Sequence, residues 1–228
     1  MKLRTLAVMA AVGLLAALFA ASAQAVKVNV RVEGKTRTLL ERNVDTFVHP
    51  VTGDGSGPHK CDGTNGGAST TPGPTVTSAF DDAAKKEALS WAGTWNPSFE
   101  DFLIDRVGPD SATSSEFWGT AVNFRDTDAG GCQVKVDQGD EILIAYDSFG
   151  KPKLQLTGAR GARSGKVFAL FVYDGIDDLN PVAGARVGGK LTNTQGRVLL
   201  RIEKRGLYRF KATKPGTIRS NQHKVRIK

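Results

Sequence analysis

The sequence contains few of the residues that build catalytic and metal sites. Among 228 residues there are 3 His and 2 Cys, which are too few for a zinc site made of several Cys and His side chains. The Gly-x-Ser-x-Gly segment of many acyl hydrolases is also missing. An exported hydrolase that uses His49, His59 or His223 remains an alternative. No reaction can be read from the residues, and we expect a protein that is not an enzyme.

Long hydrophobic runs are also missing after the first 25 residues. Lys2 and Arg4 precede the apolar run Leu6–Ala21, and Ala23-Gln24-Ala25 follows it as a small-residue cleavage site. This order is typical of a secretory signal peptide, and the run is short for a helix that spans a bilayer. The sequence therefore predicts cleavage after Ala25 and a secreted mature chain without a membrane span.

Export determines how the two cysteines are interpreted. Disulfides persist in oxidising compartments, so Cys61 and Cys132 are expected to pair. The loop closed in this way has roughly 70 residues, for which the chain-entropy argument gives about 4 kcal/mol of stabilisation. A pair of free thiols with a redox or metal role is the alternative, but the spacing fits no redox motif.

Charge is distributed unevenly along the chain. Residues 26–150 contain 11 basic and 19 acidic residues, for a net charge of −8, whereas residues 151–228 contain 18 basic and 4 acidic residues, for +14. Gly150-Lys151-Pro152 lies at the boundary and is typical of a linker. The sequence therefore predicts an acidic first module, 26–150, and a basic second module, 151–228.

The first module has the pattern of a mixed sheet packed on one helix. Valine alternates with polar residues over 26–33, which indicates a half-buried strand, and the extended segment 36–48 completes a hairpin. A long Gly-rich loop, 50–76, precedes a helix that Ser78 caps, and 91–97 resembles a turn. Three further strands are predicted at Phe102–Val107, Phe117–Phe124 and Glu141–Tyr146. This order favours a β-grasp-like α+β fold.

Four motifs of this module occur in the order of a known family. They are Val28-x-Val-x-Val32-Glu33-Gly34, the helix Ser78 to Lys86, Phe117-Trp118-Gly-Thr-Ala-Val-Asn123, and Gly139-Asp-Glu-x-x-x-x-Tyr146. Together they resemble the transcobalamin-like C-terminal domain family. In vertebrate cobalamin carriers this small domain closes over the vitamin beside a helical barrel, which this chain lacks. The resemblance implies a small ligand of corrinoid type.

Aromatic residues are the candidates for holding such a ligand. Phe117, Trp118, Asn123 and Trp95 are the predicted binding residues, since aromatic rings bind flat molecules. Neighbouring positions on a strand point to opposite faces, so we expect either Phe117 or Trp118 to lie in the core. The sequence assigns no cofactor.

Two groups of oxygen ligands leave calcium binding open. Asp54, Asp62 and Asn65 lie in the long loop, and Asp174, Asp177 and Asp178 follow a strand. Carboxylate and amide oxygens suit calcium, but Asp and Asn are also common turn residues. Neither group has an EF-hand spacing, so no metal ligand is assigned.

The second module has the pattern of a small β-sandwich. Val167–Tyr173 is a continuous apolar run, typical of a central strand buried on both faces. Shorter strands follow at the spacing of a sandwich. The segments Pro181-Val-Ala-Gly-Ala-x-Val, Thr192-x-x-x-Gly196 and Gly206-x-Tyr208-x-Phe210-x-Ala212 resemble immunoglobulin-like and carboxypeptidase-regulatory-like modules of secreted bacterial proteins. The resemblance implies a spacer or a binding adaptor.

Basic residues of this module are candidates for binding a polyanion. Lys224, Arg226 and Lys228 share one face of the last strand, and Arg209 and Lys211 share a face of another. Export and the lack of a nucleic-acid motif favour an anionic cell-envelope polymer over nucleic acid. Two alternatives remain open, in which the basic module docks on the acidic one or its charges are simply solvated. The sequence thus supports either a ligand-binding protein or a structural, adhesive envelope protein.

Overall fold

The fold is mainly β with one α-helix in the residues that the structure describes. The structure is a computed structural model and describes residues 25–53, 55, 57–175 and 177–228. The predicted fold class is confirmed at this level. The predicted signal peptide lies outside the described residues, except for Ala25. In these ranges, no helix is both long enough and apolar enough to cross a bilayer.

The elements of the first module begin with a hairpin and end with a buried strand. In chain order they are β1 (Val26–Glu33), β2 (Thr38–Thr46), a 3-10 turn (Asn65–Gly67), α1 (Val76–Lys86), β3 (Trp91–Asn96), β4 (Asp101–Val107), β5 (Asp110–Ser111), β6 (Trp118–Val122), β7 (Arg125–Asp126) and β8 (Glu141–Tyr146).

The main sheet has the strand order β2-β1-β8-β6-β7. β1 runs parallel to β8, and the other neighbours are antiparallel. Helix α1 packs on one face, where Phe80 and its neighbouring alanines meet the valines of β1 and Ile142 and Ile144 of β8. A mixed sheet on a single helix was predicted and is observed. The prediction that Ser78 caps the helix is wrong, because the N-cap residue is Thr75 and Ser78 completes the capping box three residues later.

A smaller sheet, β3-β4-β5, lies beside the main sheet. The prediction of a turn over 91–97 is wrong, because Trp91–Asn96 pairs with β4 along its whole length. The ring of Trp91 meets those of Phe80 and Phe102, with centroids 5.1 and 5.7 Å apart. Aromatic side chains favour strands when such packing is available.

The long loop is tied to the module by the predicted disulfide. Cys61 and Cys132 are bonded, and both are buried beside Val51 and Phe102. This finding confirms the pairing. The bond fixes the loop against the segment that leads into β8.

The second module consists of short strands around its own core. They are β9 (Leu154–Gly158), β10 (Gly161–Ala162), β11 (Val167–Asp174), β12 (Asp177–Pro181), β13 (Arg186–Val187), β14 (Lys190–Leu191), β15 (Arg197–Arg201), β16 (Gly206–Phe210) and β17 (His223–Ile227). β11 pairs with β9 along one edge and with β15 and then β12 along the other, and a second sheet has the order β10-β17-β16.

Residues from both of these sheets form one hydrophobic core. β11 is central in its sheet, but it is not buried on both faces as predicted. Phe168, Leu170 and Val172 are buried, whereas Val167 is 60% exposed. Buried and outward-facing positions alternate along β11 as in an ordinary strand. The sequence does not show this alternation, because the outward-facing positions are also apolar.

The basic module covers the second face of the main sheet. Arg31 and Glu33 project from β1 on that face and are 0% and 1% exposed. The prediction of a half-buried strand therefore holds for the start of β1, where Lys27 is exposed, and is wrong for its end. Strand periodicity identified the charged face correctly but could not show that another part of the chain covers it.

Glu33 lies at the centre of an ion cluster between the modules, formed by Arg31, Glu33, Glu41, Lys211 and Arg219. Its carboxylate accepts a hydrogen bond from Arg219 Nε at 2.6 Å and another from Lys211 Nζ. Lys211 also donates to Glu41 at 2.8 Å. The alternative in which the basic module docks on the acidic one is thus the observed arrangement.

Apolar contacts accompany this cluster. Ile218 of the basic module packs with Ala121, Leu143 and Ala145 of the main sheet. A Cβ atom added at Gly175 would lie 2.3 Å from a ring carbon of Phe124, so this approach requires glycine. The contact between the modules therefore combines apolar packing with paired charges.

We expect Glu33→Gln to lower the free energy of unfolding by about 3 kcal/mol, since Arg219 then has no carboxylate partner among the described residues and Arg31 and Lys211 each lose one of two. Asp45→Asn is the matched control, because Asp45 pairs with Lys27 on an exposed surface. Its loss should be below about 1 kcal/mol. Urea unfolding at pH 7 measures both values. Equal losses would show that the ion cluster contributes no more than a surface pair.

Candidate functional site

A cleft of about 560 Å³ opens between the smaller sheet and the edge of the main sheet. Its volume is within the range of small-molecule sites. One side is formed by 101–104 of β4, another by Trp118 and Thr120 of β6, and a third by the segment 127–131. Phe99 and Phe149 lie at its margin. The site is thus assembled from four separate segments of the first module.

The margin of the cleft is strongly apolar. Phe99 is 67% exposed, Leu103 55% and Phe149 60%. Three large exposed hydrophobic side chains around one concavity cost hydration free energy unless a partner covers them. Their grouping favours a binding surface over isolated surface residues.

Trp118 lies at the boundary between this cleft and the core. Its ring is 5% exposed and meets the Tyr146 ring edge to face, with centroids 5.3 Å apart. The expectation that either Phe117 or Trp118 lies in the core is confirmed, and the core residue is Trp118. Its indole Nε1 is buried and has no hydrogen-bond partner in the described part of the chain. An unpaired buried N–H is costly, and Trp118 is also one of the residues that line the cleft.

Asp101 supplies a buried carboxyl group at the same cleft. It is 5% exposed and accepts hydrogen bonds from the backbone N–H groups of Phe102 at 2.7 Å and Cys132 at 2.9 Å. Burial raises the pKa of Asp101 to about 6, although hydrogen bonds from the backbone of Phe102, Cys132 and Gln133 oppose the shift. The cleft therefore combines an apolar margin with an indole donor and a titratable acceptor.

The disulfide holds one side of the cleft in place. Gly130 and Gly131 line the cleft and directly precede Cys132. A Cβ atom added at Gly130 would lie 2.1 Å from a carboxylate oxygen of Asp101. Glycine here allows the backbone to approach the carboxyl group, and the bond to Cys61 fixes that approach.

The other predicted ligand residues lie outside the lining of this cleft. Phe117 precedes β6 and is 40% exposed. Asn123 closes the turn after β6, where it donates to Asp140 at 2.8 Å and accepts from the backbone N–H of Glu141 at 3.0 Å. Trp95 stacks on His59 with centroids 4.2 Å apart. Of the four, the structure brings Trp118 to the cleft.

Sequence reasoning missed the residues that surround Trp118. Phe99 and Phe149 lie in turns, at Pro97-Ser98-Phe99 and Ser148-Phe149-Gly150. A large aromatic residue in a polar turn could have been predicted to bind a partner, because turns are normally solvated. Leu103 and Asp101 carried no such signal.

The histidines and the proposed calcium ligands have local partners where they are described. His49 contacts Asp82 at 3.2 Å, and His223 Nε2 lies 3.0 Å from the carbonyl oxygen of Ala159. Asp62 accepts from the N–H and the hydroxyl of Thr64, a turn contact.

Several of the calcium candidates cannot be placed. Asp54 and the side chains of Asp177 and Asp178 lie outside the described residues, whereas Asp174 ends β11. Asn65 donates to the carbonyl oxygens of Lys60 and Glu100, both at 2.8 Å. In the described part of the chain, no group of three or more His, Cys, Asp or Glu side chains is placed to hold a metal ion.

The raised pKa of Asp101 predicts a specific pH dependence. The folded state holds this proton up to about pH 6 and the unfolded state up to about pH 4. The contribution of Asp101 to stability is therefore greatest at low pH and is lost as the pH rises through 6. We expect the difference in unfolding free energy between the wild type and Asp101→Asn to fall by about 2 kcal/mol from pH 4 to pH 7. Urea unfolding at several pH values measures it, and a constant difference would contradict the shift.

Removal of the disulfide should destabilise the first module. We expect Cys61→Ala/Cys132→Ala to lower the free energy of unfolding by up to about 4 kcal/mol, since the bond closes a loop of this length. Thermal unfolding of the variant and the wild type, both without reductant, measures the loss. An unchanged midpoint would show that the loop is held by other contacts.

Neither the models of known protein families nor the curated proteins include a match to this chain. The resemblance to the transcobalamin-like family therefore stays a prediction from the four motifs.

Proposed function

We propose that this protein is a secreted, non-enzymatic binding protein whose first module holds a flat, largely apolar small molecule of corrinoid type in the cleft beside Trp118. The proposal is supported by the order of the family motifs in the sequence. It is also supported by the position of Trp118, which was a candidate ligand residue before the cleft was known.

One observation carries the proposal. Trp118, whose buried Nε1 lacks a partner among the described residues, lines the same cleft as three exposed hydrophobic side chains. Without a ligand, both features are unfavourable, because the indole N–H has no hydrogen-bond acceptor and the apolar side chains at the margin are exposed to water. A ligand with an apolar face and a hydrogen-bond acceptor at its edge would remove both costs.

A corrinoid has these properties. Its macrocycle is flat and apolar, and amide groups at its periphery offer acceptors to Trp118 and donors to Asp101. The cleft is too small to enclose such a molecule and would take one edge of the ring. The described part of the chain contains one α-helix and no helical barrel like that of the vertebrate carriers, so we expect weaker capture than in those carriers.

Titration of the mature chain, residues 26–228, with cobalamin and with cobinamide tests the proposal. Isothermal titration calorimetry gives the affinity, and tryptophan fluorescence reports the site. We expect Trp118→Phe, which removes the donor and keeps a ring, to weaken binding about fivefold. Leu103→Asp should weaken it about tenfold by placing a charge on the apolar margin.

Two matched controls accompany these variants. Trp95→Phe makes the same change outside the cleft lining, and Leu191→Asp makes the same change at a leucine that is 56% exposed on the second module. Both should bind as the wild type does. The absence of heat and of a fluorescence change with either corrinoid would overturn the corrinoid proposal. Equal weakening by Leu103→Asp and Leu191→Asp would show that binding lies elsewhere.

A further inference from the structure

The basic residues of the second module separate into two groups. Lys153, Lys211 and Arg219 point to the first module and pair there with Asp126, Glu33 and Glu41. A second group forms no ion pair with the first module in the described part of the chain. It consists of Arg209, Lys224, Arg226 and Lys228, which together form the outer basic face. Docking of the modules therefore removes Lys211 from the predicted polyanion site and leaves the other four residues exposed.

Strand geometry arranges the outer basic face as a row. Val225 and Ile227 of β17 are buried, so Lys224, Arg226 and Lys228 alternate to the exposed side. Residues two apart on a strand are about 7 Å apart. β16 pairs antiparallel with β17 and places Arg209 opposite Lys224. The result is three cations in line and a fourth beside the first of them.

The row is not neutralised by the protein itself. In the described part of the chain, none of its four cations forms an ion pair with a carboxylate. The second module contains 4 acidic residues, and Glu203 among them pairs with Arg201. An uncompensated row of cations attracts a linear polyanion and releases its counterions on binding.

We propose that the outer basic face binds an extended phosphodiester polymer of the cell envelope, of the poly(glycerol phosphate) kind. The phosphates of such a polymer repeat at a distance close to the spacing of the row. Binding at this face is independent of the cleft in the first module, and it would place that cleft at the cell surface.

The surroundings of the row argue against two other polyanions. Tyr208 and Phe210 of β16 pack toward the core of the module, so the face offers no aromatic ring for stacking nucleic-acid bases. Leu207, which pairs opposite Arg226, is the large exposed hydrophobic residue of β16 and β17. A membrane surface is normally engaged by several aromatic or apolar anchors.

The test uses the mature chain, residues 26–228, and immobilised poly(glycerol phosphate). Lys224→Glu/Arg226→Glu reverses the centre of the row, and we expect it to weaken binding about a hundredfold at low salt. Wild-type affinity should fall with salt with a log–log slope of about −2 to −3, as three or four phosphates are neutralised. Lys224→Gln/Arg226→Gln should weaken binding by a smaller factor. This variant removes the two charges without reversing them, so it serves as a control for misfolding caused by the introduced glutamates.

The control is Lys190→Glu/Arg197→Glu, which changes the net charge equally on β14 and β15. Its binding should stay within about twofold of the wild type. Equal losses of affinity in the two charge-reversal variants would show that binding depends only on net charge, which would overturn the proposal. Unchanged binding by Lys224→Glu/Arg226→Glu would do so as well, and so would tighter binding to single-stranded DNA or to phosphatidylglycerol vesicles than to the polymer.

Discussion

Glu33 lies in the contact between the two modules, where its buried carboxylate meets Lys211 and Arg219. A carboxylate in this position is stable only while its cations are in place, because removing either partner leaves a desolvated charge. The same contact buries Arg31 and brings Ile218 onto Leu143 and Ala145. The main sheet is thus covered by α1 on one face and by the basic module on the other.

This coverage explains features of the sequence that otherwise look unrelated. β8 reads Glu-Ile-Leu-Ile-Ala-Tyr and is apolar at nearly every position because both of its faces are buried. The acidic charge of the first module and the basic charge of the second are partly matched across the contact. Four of the remaining cations form the outer basic face on β16, β17 and the residue that follows β17.

The cleft and the outer basic face belong to different modules and use different chemistry. The cleft is small, apolar at its margin and polar at Trp118 and Asp101. The basic face is flat and depends on charge spacing. In a rigid pair of modules, attachment through the second would hold the first in one orientation relative to the surface. A secreted binding protein retained at the envelope is consistent with both surfaces.

Much of the site could not be predicted because it is formed by segments that are distant in sequence. Trp118 was identified from its own aromatic character, whereas Leu103 and Asp101 look like ordinary strand residues until β4 lies beside β6. Asn123 looked like a ligand residue and proved to close a turn through Asp140 and Glu141. A short polar residue near a strand end looks the same in the sequence whether it binds a ligand or closes a turn.

The sequence by itself determined the charge division, the partners of the disulfide, the extent of β8 and the exposed row on β17. Each of these follows from composition, from a continuous apolar run or from a period of two along a strand, which are local properties. The tertiary structure decided that Arg31 and Glu33 are buried, that Lys211 pairs with Glu33 and Glu41, that β11 is half exposed, and that Trp118 borders a cleft. Periodicity shows which side chains share a face, but what covers a face depends on contacts between residues far apart in the chain.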